Sequence, residues 1–273
     1  MLRLTFHAPR TVRAALHPSS EEGSVPVALA GFTLVELLVV VAIIGILAAL
    51  ILPTLSRAGS QGKRVSCQNR LRQLAVCAQM YAADNNGKLA ENGPGEQREH
   101  NWVFGNMKAF QDATNRVWLQ ESKFFPYAPH VDLFRCPADP SVVRGISRVR
   151  SYSMNGWVGG RSMQTAQRQS SFRTFLGETE LAAIGPSIIW VLIDEHEASI
   201  DDSFFLVTMD DRRPFASFPA NRHGGGYSLN FADGHVEAYK LRDPESQSFG
   251  VEGARFSPRN IDWIRLKLVS TSK

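Results

Sequence analysis

The sequence predicts an α+β protein. One long N-terminal helix, transmembrane in its first half and amphipathic in its second, packs on a C-terminal head built around an antiparallel β-sheet. Three observations carry this expectation. From Leu37 to Leu55 no side chain is ionisable. Beyond that run, Cys67, Leu71, Leu74, Ala78 and Tyr81 recur at spacings of four and three, which marks one face of a helix. Toward the C-terminus, β-rich runs flank an Asp-Gly turn.

The first element is residues 32–55, the transmembrane and assembly helix. As a helix it rises roughly 36 Å at about 1.5 Å per residue, enough for a hydrocarbon core of about 30 Å. Glu36 is the lone carboxylate in the run. Such a charge near the bilayer centre would cost roughly 2.5 to 3.5 kcal/mol, but Glu36 follows Phe32 by one turn and so lies shallow. A cut between Gly31 and Phe32 would place a new amino group beside it. Residues 1–31 then read as a leader, outside the folded protein. In that leader Arg3, Arg10 and Arg13 lie far from Gly31, Glu21 and Glu22 lie nearer, and Val25-Pro26-Val27-Ala28-Leu29-Ala30 offers small residues of the signal-peptidase type.

The string GFTLVELLVVVAIIGILAALILP, residues 31–53, resembles the N-terminus of type IV pilins and type II secretion pseudopilins. The resemblance implies cleavage after Gly31 by the prepilin peptidase, N-methylation of Phe32 by the same enzyme, and pairing of Glu36 with a neighbouring subunit's terminal amine. It places Pro53 where the family carries a proline. The partners it implies are the prepilin peptidase/N-methyltransferase, other pilin-like subunits and an inner-membrane assembly platform. The location it implies is the bacterial inner membrane, crossed once, with the head in the periplasm or in an extracellular filament. The cluster Arg57, Lys63, Arg64, Arg70 and Arg72 points the other way by the positive-inside rule; the resemblance is the more specific of the two.

Residues 56–87 continue the helix as an amphipathic segment, with Lys63, Gln68, Arg70, Arg72 and Gln79 opposite the apolar stripe. Asp84-Asn85-Asn86-Gly87 supplies residues suited to a left-handed C-terminal cap. Cys67 and Cys77 stand about 15 Å apart by helical rise, beyond the 7 Å Cα limit for a disulfide, so a bridge requires Cys136. Cys67 lies in the stripe and Cys77 about 80° round the helix. A Cys67 to Cys136 bridge is therefore preferred, with free buried thiols as the alternative.

Residues 88–273 form the head. From Lys88 to Arg150 periodicity is weak, and Trp102, Phe104, Phe110, Trp118, Phe124, Phe125, Tyr127 and Phe134 are expected to pin irregular chain onto the core. Residues 116–127 read as a short helix, and Phe134 to Pro140 as an extended piece turning at its prolines. Strands are expected over Ser187–Ile193 and Phe204–Val207, and a hairpin over Tyr227–Tyr239, turning at Ala232-Asp233-Gly234.

Within residues 221–240, His223 is followed by nine residues and then Asp233-Gly234. This spacing resembles the C-terminal signature of a pilin-like group associated with prepilin-type processing. Tyr81 with Asp84-Asn85-Asn86-Gly87, Cys136-Pro137-Ala138-Asp139 and Ser151-Tyr152-Ser153-Met154-Asn155 match the same group more loosely. The glycines after His223 permit a fold-back that would bring His223 and His235 toward Asp233. Two readings stand. In one, the Asp-Gly pair makes the turn, the histidine bonds locally, and no cofactor is present. In the other, a divalent cation is held by residues drawn from Asp194, Glu195, His223, Asp233 and His235, oxygen ligands favouring calcium and imidazoles zinc.

The net charge of +4 is small for 273 residues, and no nucleic-acid motif accompanies it, so nucleic acid is not an expected partner. There is no nucleophile elbow and no HExxH, and one His with one Asp does not make a hydrolase. The expected function is a non-enzymatic filament subunit. The alternatives are a membrane-anchored module whose aromatics at 102–134 grip a carbohydrate or peptide and, behind it, a metal-dependent hydrolase.

Overall fold

A computed structural model describes residues 31–95, 101–160, 171–210, 215–248 and 259–273; of the expected leader, residues 1–31, all but Gly31 lies outside them. Helix α1 runs from Leu34 to Asp84. The chain divides into two compact units at Leu50. In the first, every large apolar side chain from Phe32 to Leu50 is exposed. Among the described residues one helical stretch, Leu34–Leu52, is long and apolar enough to cross a membrane.

In the second unit α1 carries the core. Cys67, Leu71, Leu74, Ala75, Cys77 and Ala82 are buried, while Ala78 and Tyr81 are half-buried. The buried face is thus wider than the expected stripe and includes Cys77. The reason is that the head covers the helix from more than one side. Asn230 Nδ2 donates to the Leu71 carbonyl (2.8 Å), Gln79 Nε2 to Ala232 (3.0 Å) and Arg70 Nη1 to Arg135, so two residues expected to face solvent hold the head instead. The helix ends where Asn86 and Gly87 turn left-handed, with the Gly87 N–H on the Ala82 carbonyl (2.8 Å).

The segment that follows is irregular and pinned by aromatic rings, Trp102 lying 5.2 Å from Phe124 and 6.1 Å from Phe134, centroid to centroid. Helices α2 (Phe110–Ala113) and α3 (Val117–Gln120) are one turn each. The helix expected over 116–127 is interrupted: Lys123 donates its N–H to Trp102 rather than into a helix, and Phe125–Tyr127, with Pro126, forms a separate 3₁₀ turn.

Strands β1 (Val142–Val143) and β2 (Ile146–Ser147) make a small hairpin through Arg144 and Gly145, both left-handed. The main sheet contains β3 (Tyr152–Asn155), β4 (Trp190–Asp194), β5 (Phe204–Phe205), β6 (Gly226–Phe231) and β7 (Val236–Lys240), in the order β5-β3-β4-β6-β7. It is not wholly antiparallel. The chain doubles back after β4 and passes to the far side of β3, so β5 runs parallel to β3. The Asp-Gly hairpin forms, with β6 and β7 paired from Gly226–Lys240 to Asn230–Val236 and Gly234 left-handed in the turn.

One sheet face packs with α1, and helix α4 (Glu178–Ile184) adds Leu181 to the same core. On the other face Trp157, Trp190, Ile193, Phe205 and Leu229 pack with Trp263 and Leu266 of helix α5 (Ile261–Leu268), an element the sequence reading did not anticipate. Asn260 caps it, its side chain accepting the Trp263 N–H (3.0 Å).

A register shift in β4 between Trp190 and Leu192 aims the sheet's most consequential side chain. Trp190 belongs to the α5 side, Val191 and Leu192 both to the α1 side, and Ile193 to the α5 side again. Because side chains alternate along a strand, the irregularity returns Asp194 to the α1 side; without it, alternation from Trp190 would turn Asp194 away.

Candidate functional site

Two places in the molecule are candidate functional sites. The first is the start of α1. Thr33 is its N-cap: the Thr33 Oγ1 accepts the Glu36 N–H (3.2 Å), and Glu36 Oε2 accepts the Thr33 N–H (2.9 Å) and hydroxyl (2.7 Å). This is a capping box, worth about 1 kcal/mol to a helix start. The Glu36 carboxylate is thus held on Thr33, the residue that follows Phe32, and Phe32 is 70% exposed.

The second is the α1 side of the sheet. Cys67 on α1, Cys136 after Phe134, Asp194 at the end of β4 and His223 before β6 present four ligand-type atoms all within 4.8 Å of one another. Cys136 Sγ lies 3.1 Å from His223 Nε2, His223 Nε2 3.8 Å from Asp194 Oδ2, and Cys67 Sγ 4.0 Å from the same oxygen. Cys67, Cys136 and Asp194 are fully buried, and the His223 side chain is 3% exposed.

Local structure explains each placement. His223 sits in a tight loop closed by reciprocal backbone bonds between Arg222 and Gly226 (2.8 and 2.7 Å). His223, Gly224 and Gly225 all adopt positive φ there, which the glycines accept at no steric cost. The Cys136 N–H donates to Ser151 Oγ (2.6 Å), tying its loop to the start of β3. Tyr152 donates its hydroxyl to Cys67 Sγ (3.2 Å) and pairs across the sheet with Asp194. Arg222, 4% exposed, binds Asp194 Oδ1, Asp139 (3.0 Å) and Glu197 (3.0 Å), leaving Asp194 Oδ2 to the cluster.

The electrostatics follow from burial. Burial pushes the Asp194 carboxyl up to about 7, with Arg222 opposing the shift. Burial and the Arg222 charge hold His223 down to about 4, so its imidazole is neutral at pH 7. The hydrogen bond with Cys67 and burial push the Cys136 thiol up. His223 Nδ1 has no hydrogen-bond partner among the described residues.

Several expectations need correction. All three cysteines are free thiols, so the Cys67 to Cys136 bridge is not formed; the two share one pocket with Asp194 and His223 instead. The glycine run does fold back, but it takes His223 to Cys136 and Asp194 rather than to Asp233. Strand β6 lies between the two ends of the motif, and its six residues span roughly 20 Å. Asp233 bonds His235 (2.5 Å), which stacks on Phe231 (4.2 Å between centroids), and both residues are about one-third exposed in the turn. Glu195 is buried but accepts from Ser199 (2.8 Å), and burial pushes its carboxyl up to about 8; it does not join the cluster. Of the five residues expected to supply cation ligands, the structure brings together Asp194 and His223. Of the aromatics at 102–134, Trp102, Phe124 and Phe134 are buried in the core, while Phe104, Phe110, Trp118, Phe125 and Tyr127 are half-buried.

The sequence reading missed Arg222, Asp139 and Tyr152 as site residues. The signal was present, since Asp139 closes Cys136-Pro137-Ala138-Asp139, Tyr152 follows Ser151, and Arg222 precedes His223. Two of these stretches, Cys136–Asp139 and Ser151–Asn155, carried the looser resemblance, and the fold brings Asp139 and Tyr152 from them to the cluster with Arg222.

Comparison with known proteins bears on the N-terminus. Residues 30–52 match the family model described as the prokaryotic N-terminal methylation motif. Over 55 residues the chain is 42% identical to the type II secretion system core protein G of Pseudomonas aeruginosa, an alignment covering 20% of this chain and 39% of that protein. The chain thus spans well under half the length of the curated relative it matches. No solved structure matches the chain. The two matches support a pilin-like N-terminal segment, and the apolar helix suits a single-pass anchor in the inner membrane.

Proposed function

We propose that this chain is a pilin-like structural subunit, a pseudopilin of a type II secretion or type IV pilus-like filament, and not an enzyme. The prepilin peptidase cuts after Gly31 and methylates Phe32; the mature helix then passes from the inner membrane into a filament, through an inner-membrane assembly platform, with the head in the periplasm or outside. The observation that carries the reading is the apolar surface of Leu34–Leu52, none of it buried, preceded by Gly31-Phe32 and headed by one carboxylate. A surface of that kind needs lipid or other helices around it. Ala42, Gly45, Ala48 and Ala49 allow neighbouring helices to approach closely, and head-to-tail contacts that do not close produce fibres.

Glu36 supports the same reading. In the single chain it caps its own helix through Thr33. A carboxylate takes up to about four hydrogen bonds, so it retains capacity for a neighbour's terminal amine. The His-x9-Asp-Gly region, residues 221–240, then belongs to the head as the hairpin that covers α1. Mass spectrometry of the mature protein tests the proposal: N-methylated Phe32 at the terminus is the expected result, and a chain retaining residues 1–31 would overturn it. Glu36→Val should insert normally yet fail to enter filaments.

A further inference from the structure

We propose that Cys67 Sγ, Cys136 Sγ, His223 Nε2 and Asp194 Oδ2 bind one zinc ion that fastens the head to helix α1. The geometry is that of a four-coordinate site. With metal–sulfur bonds of about 2.3 Å and metal–nitrogen or metal–oxygen bonds of about 2.0 to 2.2 Å, tetrahedral ligand atoms stand roughly 3.3 to 3.8 Å apart. Separations of 3.1, 3.8 and 4.0 Å lie within a few tenths of an ångström of that range, and no pair of the four atoms exceeds 4.8 Å, so side-chain adjustments of an ångström or less close it.

The donor set selects the metal. Two sulfurs exclude calcium and magnesium, which take oxygen ligands, while sulfur with imidazole and carboxylate in a tetrahedral cage suits zinc. Binding converts the two thiols to thiolates and releases their protons to solvent. Two thiolates, one carboxylate and a neutral imidazole around Zn²⁺ sum to one negative charge, which the buried guanidinium of Arg222 faces through Asp194. The surroundings are arranged for such a centre. Arg222 fixes the Asp194 carboxylate from behind, and Tyr152 donates to the Cys67 sulfur; outer contacts of this kind orient metal ligands.

Four protein ligands and a buried setting leave no open position, so the site is structural rather than catalytic. Its ligands lie at positions 67, 136, 194 and 223, so one ion ties the helix to three distant segments of the head. The inference is independent of filament assembly: the centre would form in a chain that never polymerised.

The test uses the full-length protein, extracted in detergent without chelator from cells supplied with zinc. Elemental analysis should find about one zinc per chain, and replacement by cobalt should give thiolate-to-cobalt charge transfer with tetrahedral d–d bands. Cys136→Ser and His223→Ala should each lower zinc content at least tenfold at unchanged circular dichroism, while Cys77→Ser, which alters a buried thiol outside the cluster, should leave it unchanged. Less than about one-tenth of a zinc per chain, zinc retained in Cys136→Ser, or a Cys67 to Cys136 disulfide in the non-reduced peptide map would each overturn the proposal. Should the variants fail to fold, the cobalt spectrum of the wild-type protein decides: absence of the thiolate band sinks the site.

Discussion

Ile44 and Leu71 are both aliphatic residues of helix α1, yet Ile44 is 59% exposed and Leu71 is fully buried. The same element is therefore two kinds of object. Its first half keeps its apolar surface outward, as a segment meant for other molecules does; its second half spends that surface on its own head. The head that covers the second half also buries charge, whereas the one carboxylate of the first half, Glu36, is exposed. Between residues 37 and 55 there is no ionisable group, whereas the head buries Asp194, Asp139, Arg222 and His223 together. Apolar surface can be left for a partner to cover, but buried charge must be matched within the fold.

The largest expected effect tests that matching. Arg222→Leu removes the cation shared by Asp194 and Asp139, whose side chains are 0% and 2% exposed. Stranding buried charge in this way costs about 3 to 5 kcal/mol, so thermal unfolding of the head should shift sharply downward or the head should fail to fold. A loss under about 1 kcal/mol would mean the carboxylates are neutral or hydrated.

Next comes the direct comparison. Leu71→Ala empties part of the core between α1 and the sheet and should destabilise the head by about 2 to 5 kcal/mol. Ile44→Ala removes a similar side chain from the exposed half and should leave head unfolding unchanged; on the function proposed above, its cost appears in filament yield. Equal effects on head stability would show that the two halves are not distinct in kind.

This division also governs what could be read from the sequence. The exposed half is encoded linearly: an uncharged run, one carboxylate at a fixed offset and a Gly-Phe junction are visible without knowing the fold. Turns are nearly as legible, because Asn86-Gly87 and Asp233-Gly234 announce positive φ by residue type. The cluster is not, since its members come from four separate segments and the β4 irregularity that re-aims Asp194 has no sequence mark in Trp190-Val191-Leu192-Ile193. The spacing of His223 from Asp233-Gly234 was visible but misleading: nearness in sequence became opposite ends of β6. Helix α5 was overlooked although Asn260 three residues before Trp263 is a helix-start signal.

Gly225→Ala probes the loop that delivers His223. Gly225 has φ of +94° with open space where a Cβ would stand, so the cost is conformational rather than steric, about 1 to 3 kcal/mol for an L-residue held there. Head stability should fall by that amount, less than for Arg222→Leu.

The smallest effect comes from the pair that most resembles the Arg222 network on paper. Arg116 and Asp132 lie 3.2 Å apart, nearly as close as Arg222 to Asp139 and Glu197 at 3.0 Å, but their side chains are 64% and 75% exposed. Water already solvates both ions, so an exposed pair contributes about 0 to 1 kcal/mol, and salt screens what remains. Arg116→Ala should therefore move the unfolding midpoint little, and high salt should abolish the difference. The Arg222→Leu penalty should persist in the same salt, because a buried charge gains little screening from ions that cannot reach it. If the two substitutions responded alike to salt, Arg222 would be solvated and the inner network would be no more than a surface pair.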